Sequence, residues 1–557
     1  MTSQKAQWHL LHEQSPNDAS EMQKWLLQDR DIKNVENFLL PPKPDSLTLN
    51  DVGIVASQMK KAVARLIQAK KMDQKVVIAG DYDADGICAT AVLWLACKEI
   101  GLIAQPFIPN RHKHGYGLNQ RSIPDMIGED RPDLVITVDN GIVAHEAIET
   151  LSEMGIDVII SDHHEKASID PNALAIVHTT QLCGAGVAWF LANQLLKTTE
   201  TQGADTKTNQ LLDLVSIATI ADQVPLIAAN RSLVFHGLLQ LKTTQRPGLQ
   251  AIFEMGNIDQ TMIDEVGVSF QIAPRLNALG RLSHGMDALR LLCGGTIEFA
   301  QQRARLLEAA NTERQEITQD LYARANQLAQ EQTAAKILII AGSEFHEGII
   351  GLLAGRLVEQ YGKPAIVISV NEALAKGSVR SIPGVHITDF LRQMSDSFLE
   401  LGGHAMAAGF AVEPMNLDKV IEKIYTMANK LTIENAAKQI EITCPLKSEL
   451  INLDTVSKIE SLAPFGQANP KPLFLLSDWQ VVGVKTIGNE GKHLKLVIAY
   501  MNELDNQKTV IEALWWKHGD QASSFQSGMT ISLVGRLEKQ TWRNKSFPQI
   551  IVVDAHV

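Results

Sequence analysis

The sequence has no run of about 18 uncharged apolar residues, so it offers no candidate for a transmembrane helix. Its opening stretch, MTSQKAQWHLLHEQSPNDAS, lacks a basic patch followed by an apolar core, which argues against a secretory leader. Cysteine is scarce: Cys88, Cys97, Cys183, Cys293 and Cys444 are odd in number, scattered, and never form a CxxC pair. That pattern argues against a disulfide framework and a structural zinc, and it fits a reducing compartment, the cytoplasm. Positive charge is also in deficit. A net charge of −12 argues against coating nucleic acid by bulk electrostatics, although it leaves room for a local basic groove. There is no internal repeat or low-complexity tract.

What is present is a globular composition, 45% apolar and 20% charged, in a chain of 557 residues that is too long for one ordinary core. Residues 1–45 are polar with short helical patches and end in the prolines of PPKPD, so they read as an N-terminal arm. From 46 to 285, short runs rich in Val and Ile alternate with helical stretches, as in KVVIAG, DLVITVD, DVIISD and LAIVH. This predicts an α/β domain built on a parallel sheet covered on both faces. Residues 286–335 contain a stretch from Ile297 to Glu331 with no Gly or Pro, which predicts one long connecting helix between two lobes. A second α/β unit is expected over 336–435, beginning at KILIIAGSE. Short alternating strands over 440–557 predict a small β-barrel.

The stretch GDYDADG places Asp81, Asp83 and Asp85 on alternate positions directly after a strand. A calcium loop starting at Asp81 would need a bidentate Glu at its twelfth position, and Val92 stands there. The strand DLVITV likewise ends in Asp139, and DVIIS ends in Asp162, His163 and His164. Asp222 follows an apolar helix. An Asp after a strand is most often a helix cap or turn former, but carboxylates gathered at one rim repel one another unless cations neutralise them. In open parallel sheets that rim is where ligands bind. Acids with one or two imidazoles suit paired manganese or magnesium ions, and two such ions about 4 Å apart serve phosphoryl chemistry.

The motifs DYDADG, VDNG, SDHH and ATIAD, in this order, resemble those of the DHH phosphoesterase superfamily. From about residue 75 onward the chain is similar to the superfamily's RecJ branch, single-strand-specific 5′→3′ DNA exonucleases. FHEGIIGLLAGRL, GSVRS and GGHAMAAG resemble the DHH-associated domain, PRLNALGRL resembles the branch's connecting region, and the β-rich C-terminus resembles an OB-fold. The resemblance implies metal ligation by Asp83, Asp85, Asp139, His163 and Asp222, with Asp139 placed to bridge two ions. It puts Asp81 at the rim or in support behind the ligands, and His164 on the phosphate. Asp162 would orient a histidine, since ligand imidazoles usually have their other nitrogen held.

A 5′-phosphate is best gripped by Arg forks. Arg111, Arg281, Ser378 and Arg380 match family positions that would line such a pocket, and Gly403 with His404 would approach the scissile phosphate; His346 could equally sit at a helix entry turn. Half of the eight tryptophans lie in the barrel: Trp479, Trp515, Trp516 and Trp542. Strand alternation allows only one of the adjacent pair into the core. TWRNKSF interleaves cations with aromatics, so Trp542 and Arg543, with Lys545, are the expected single-strand contacts. CGAGVAW is not a credible dinucleotide fingerprint, which needs a strand leading directly into it and a later acid.

The resemblance further implies DNA repair and recombination, with a single-strand-binding protein and a RecQ-type helicase as partners and no membrane. The competing readings are an oligonucleotide or cyclic-dinucleotide phosphodiesterase of the same superfamily, and a non-catalytic DNA-binding scaffold.

Overall fold

In the computed structural model the described residues are 7–111, 113–115, 117–282, 284–431, 439–501, 508–543 and 545–556. They form two compact units. The larger comprises residues 47–224 and 236–436, the smaller residues up to 46, 225–235 and those from 437 on.

The larger unit holds two sheets. The first has strands β1 (Val76–Ala79), β2 (Ala104–Phe107), β3 (Leu134–Val138), β4 (Asp157–Asp162) and β5 (Ala175–His178), in the order β2-β1-β3-β4-β5 and all parallel. Every residue of β1 and β3 is buried, as expected of strands covered on both faces. Helices α1 (Ala84–Glu99), α2 (Gly184–Thr198) and α3 (Leu212–Ala221) pack on one another behind the sheet. They are apolar nearly all round, which is the mark of a fully interior helix.

Helix α4 (Ala273–Leu282) leads by way of a short helix into α5 (Ile297–Gln330), the expected long connector. The second sheet has β6 (Leu338–Gly342), β7 (Ala365–Val370), β8 (Ala375–Arg380), β9 (Glu400–Gly403) and β10 (Ala407–Val412), in the order β9-β10-β8-β7-β6. Only β6 and β7 pair in parallel. Helix α6 (Ile350–Tyr361) packs on β7 and β8.

In the smaller unit β11 (Phe474–Ile487), β12 (His493–Met501), β13 (Lys508–Trp515), β14 (Thr530–Trp542) and β15 (Lys545–His556) close into a barrel, because β11 pairs with both β12 and β14. Closure removes the free edges of the sheet. The stretch read as an arm does not stand apart. Gln7–Leu10 pairs in parallel with Gln439–Ile442, and Met22, Leu26 and Phe38 join the barrel's core cluster with Trp479 and Trp515. The prolines do mark a boundary near residue 46, but what precedes it docks on the C-terminal barrel. Residues 225–235, expected in the first α/β domain, also fall in this unit: the Arg231 guanidinium donates to the carbonyls of Phe38, Ala463 and Pro464. No helix among the described residues is long and apolar enough to cross a membrane.

Candidate metal centre and anion pocket

The carboxyl ends of β1, β3 and β4 bring the acids together. In-register pairing sets Ala79 beside Thr137 and Val138 beside Ser161, so the residues just beyond those strands share one rim. Asp83 caps α1, its carboxylate accepting from the Gly86 amide at 3.0 Å. A Cβ on Gly86 would lie 2.6 Å from the Asp81 backbone, which is why glycine is needed where the loop folds back on the helix.

Asp139 belongs to two ligand sets, one with Asp81 and Asp83 and one with His163 and His164, and His163 also joins Asp85 and Asp222; within each set the ligand atoms lie within 4.8 Å of one another. The His163 Nε2 atom lies 3.1 Å from Asp139 Oδ1 and 3.8 Å from both Asp85 Oδ2 and Asp222 Oδ2. Burial, with a smaller contribution from the His164 charge, pushes the His163 imidazole down to about 4, and its ring also bonds the backbone at Leu182. The imidazole is therefore neutral, with the Nε2 lone pair facing three carboxylates. These are acceptors looking at acceptors.

The electrostatics agree. Burial and then the Asp83 charge push Asp81 up to about 8, and burial and then Asp85 push Asp222 up to about 8. Burial and then Asp83 raise Asp85 to about 6, with the Ala185 and Gly184 amides holding it from rising further, and Asp139 stands well above the carboxylate range because burial adds to four neighbouring carboxylates. Asp81 Oδ1, Asp139 Oδ1 and His163 Nε2 are buried without a hydrogen-bond partner. Such a set is costly unless cations fill it. Hard oxygens with an imidazole fit manganese or magnesium.

The predicted residues divide as follows. Asp83, Asp85, Asp139, His163 and Asp222 are brought together. Asp81, read as a rim or supporting residue, lies deeper than Asp83 and joins its ligand group, because the loop turns Asp81 inward beneath α1. Asp162 does orient a histidine, but that histidine is His164: its Nδ1 lies 2.8 Å from Asp162 Oδ1, and the carboxylate also accepts the Ile142, His163 and His164 amides. Burial disfavours the His164 charge, yet this hydrogen bond and the nearby acids outweigh it and raise the ring to about 9. His164 is thus a cationic donor, and its ring stacks 6.2 Å from that of His404, across from the β9–β10 turn. In that turn Gly403 has φ 147°, and a Cβ there would meet the Ala407 carbonyl oxygen at 2.4 Å. His346 opens α6, its carbonyl accepting the Ile349 and Ile350 amides.

Sequence reasoning missed the support behind Asp85. The Gly184 and Ala185 amides at the start of α2 each donate to its carboxylate at 2.7 Å, and a Cβ on Gly184 would sit 2.5 Å from Asp139. The CGAGVAW segment is thus a helix N-terminus seated under the acids. Within PRLNALGRL, Asn277 accepts the Ala84 amide at 2.8 Å, and Gly280 lets the Tyr82 carbonyl approach.

The predicted phosphate-binding residues also assemble. Arg111 lies over the Tyr82 ring, 5.1 Å from its centroid. Arg281 donates to the Gly348 carbonyl at 3.1 Å, and a Cβ on Gly351 would lie 3.1 Å from Ser378 Oγ and 3.2 Å from Arg380 Nη2. Arg281, Ser378 and Arg380 therefore ring the start of α6, an anion-favouring end. In the barrel, Trp479 and Trp515 are buried, whereas Trp516 and Trp542 are 50% and 65% exposed. Arg543 lies 5.9 Å from the Trp542 ring centroid.

Comparison with known proteins gives the same order of parts. Family models for the DHH family N-terminal domain, the DHHA1 domain and the RecJ OB domain match residues 75–219, 333–430 and 442–554. The chain is 34% identical over 470 residues to the single-stranded-DNA-specific exonuclease RecJ of Haemophilus influenzae, covering 79% of this chain and 81% of that one. It is 33% identical over 514 residues to the protein of the same name from Bacillus subtilis, covering 90% of this chain but only 63% of the longer relative. The crystal structure of RecJ in complex with Mn2+ from Thermus thermophilus superposes with a TM-score of 0.82 at 27% identity, covering 99% of this chain and 80% of that one. With three family models in the order of its folded parts and a relative matched over four-fifths of that relative's length, the chain belongs to the RecJ family of DHH proteins.

Proposed function

We propose that the protein is a metal-dependent exonuclease that degrades single-stranded DNA from its 5′ end to mononucleotides, in the cytoplasm and in the service of DNA repair and recombination. The observation that carries this reading is Asp139 shared between a carboxylate set with Asp81 and Asp83 and an imidazole set with His163 and His164, with the arginines of the α6 pocket in the same compact unit. Asp83, Asp85, Asp139, His163 and Asp222, joined by Asp81, would hold two divalent cations, manganese or magnesium; relatives named RecJ have been solved with each. Bound there, such a pair supplies an activated water and charge stabilisation on the phosphate under attack.

The chain's own residues do the rest. Asp162 fixes the His164 ring, which donates to a phosphate oxygen with a full positive charge. Gly403 keeps the β9–β10 turn close enough for His404 to face the same phosphate. Arg111, Arg281, Ser378 and Arg380 receive the end phosphate and set the register of cleavage. The family resemblance adds a single-strand-binding protein and a RecQ-type helicase as partners. The test is chain-length dependence: with Mn2+, long single strands should be degraded to mononucleotides, and cleavage confined to dinucleotides would overturn the reading.

In the barrel, Trp542 and Arg543 would guide the strand by stacking and phosphate attraction. Trp516 is as open to solvent as a stacking platform requires, and it joins them. Replacing Trp542 and Arg543 together by alanine should weaken binding of long strands about tenfold and lower the salt-dependence slope by about one. Fluorescence anisotropy at several salt concentrations measures both. Unchanged affinity would remove the barrel's aromatics from the strand path.

A further inference from the structure

The α6 pocket has one more arginine beside it than the sequence motifs supplied. Helices α4 and α5 run alongside each other with a fixed register. Arg275 forms a two-pronged pair with Glu308, at 2.6 and 3.2 Å, and further along Leu282 and Ile317 both pack against the cluster that contains Ile349 and Ile350. Between those two anchor points lie Arg281 on α4 and Arg314 on α5. Arg281 there meets the Gly348 carbonyl and Arg380 meets Gly351, while Arg314 lies close enough to feel the charges of Arg356 on α6 and Arg275 on α4 and to act on that of Arg281.

Arg314 is held by an amide side chain rather than by a carboxylate. Its Nη2 donates to Asn311 Oδ1 at 2.9 Å, and Asn311 is itself buried. Its Nε is buried and has no partner. Among the described residues no carboxylate lies within ion-pair distance of Arg281, Arg314 or Arg380, while Arg275 and Arg303 nearby pair with Glu308 and Asp287. The proximity shows in the electrostatics: Arg281 is pushed down to about 10 by burial, then by Arg111 and Arg314. Like charges gathered without counter-ions are costly and mark a place for an anion. A guanidinium with free N–H groups is suited to phosphate.

We propose that Arg314, presented by the long helix between the two lobes, is a further donor to the terminal phosphate of the strand and sets the preference for a 5′-phosphate over a 5′-hydroxyl end. This rests on the 5′-end reading given above. Arg281 from the first lobe, Arg314 from the connecting helix and Arg380 from the second lobe then close on one dianion, so the end phosphate ties three separate elements together.

The test compares kcat/KM on one oligonucleotide carrying either a 5′-phosphate or a 5′-hydroxyl, for the wild type, Arg314→Gln and Arg314→Lys with Mn2+. The ratio between the two ends should fall at least about tenfold in Arg314→Gln, as expected for loss of a charge-assisted hydrogen bond, and less in Arg314→Lys, which keeps the charge without the fork. The change should reside in KM for the phosphorylated strand. An unchanged ratio in both variants, or equal losses on both ends, would overturn the proposal. If Arg314→Gln does not fold, Arg314→Lys alone decides it by the same criterion. A wild type that cleaves neither strand would instead overturn the nuclease reading, and one that cleaves both ends equally overturns only the present inference.

Discussion

Replacing Asp139 by asparagine is expected to lower turnover of single-stranded DNA by about a thousandfold or more, while leaving the metal-free protein at least as stable as before. The first half follows from position: Asp139 is common to the set with Asp81 and Asp83 and the set with His163 and His164, so its loss would uncouple two cations that together contribute several kcal/mol to the transition state, or about three orders of magnitude in rate. The second half follows from the electrostatics of the carboxylates themselves. Asp139 is buried against four other carboxylates, and its ionised form is disfavoured in the fold. Asparagine keeps the shape and removes the charge.

The same electrostatics fix a pH dependence. Asp81 and Asp222 titrate at about 8 in the fold and Asp85 at about 6, all above the ordinary carboxylate value of 3.8 that they regain on unfolding. Between those limits the folded protein holds protons that the unfolded chain has released, so the metal-free protein loses stability as pH rises from about 4 through 8. Bound cations replace those protons. Scanning calorimetry at pH 6 and pH 8.5 should therefore show a Mn2+-induced rise in Tm that is larger at the higher pH, and Asp139→Asn should lose most of that rise. A wild type whose Tm ignores Mn2+ at both pH values, or a variant that keeps the full shift, would contradict the assignment.

Much of this centre could be read from sequence because a buried parallel strand leaves an unmistakable apolar run, and whatever follows it lies at the sheet's carboxyl rim. Asp81, Asp139 and the Asp162–His164 segment all follow such runs, so their convergence was predictable. The depth of Asp81 was not, since it depends on how sharply the loop turns under α1. Contacts across large separations were invisible for a related reason. Asp85 and the Gly184 amide are 99 residues apart, and nothing local in either segment specifies the other. Arg314 sits in a long charged helix, where a solvated face is the ordinary expectation, and only packing distinguishes it from its neighbours. The N-terminal segment misled because its prolines mark a boundary but not which unit the preceding residues join. Strand alternation, by contrast, correctly separated Trp515 from Trp516.

The hidden contact at Asp85 yields the other large expected effect. Gly184→Ala adds a single methyl at the start of α2, 2.5 Å from the Cβ and Oδ1 of Asp139 and far inside van der Waals contact. Neither neighbour can give way cheaply: the Asp139 amide donates to the Ser161 carbonyl at 2.9 Å, and α2 is packed along its length against α1. The conflict falls on the helix end, whose Gly184 and Ala185 amides hold both oxygens of Asp85. Displacing that end leaves Asp85 without the donors that keep its pKa down and its oxygens aimed, and it shifts Asp139 as well. Loss of supporting contacts around a metal typically costs 10–100-fold in affinity or activity, and two ligands are affected here, so a loss of about a hundredfold or more in turnover is expected. Isothermal titration with Mn2+ should show weakened binding, while far-UV circular dichroism stays native because the other α2 contacts remain. Ala185→Gly is the matched control: it keeps the amide and adds no atom, and it should bind Mn2+ nearly as the wild type does. If Gly184→Ala binds Mn2+ and cleaves single strands like the wild type, the N-terminus of α2 does not position Asp85.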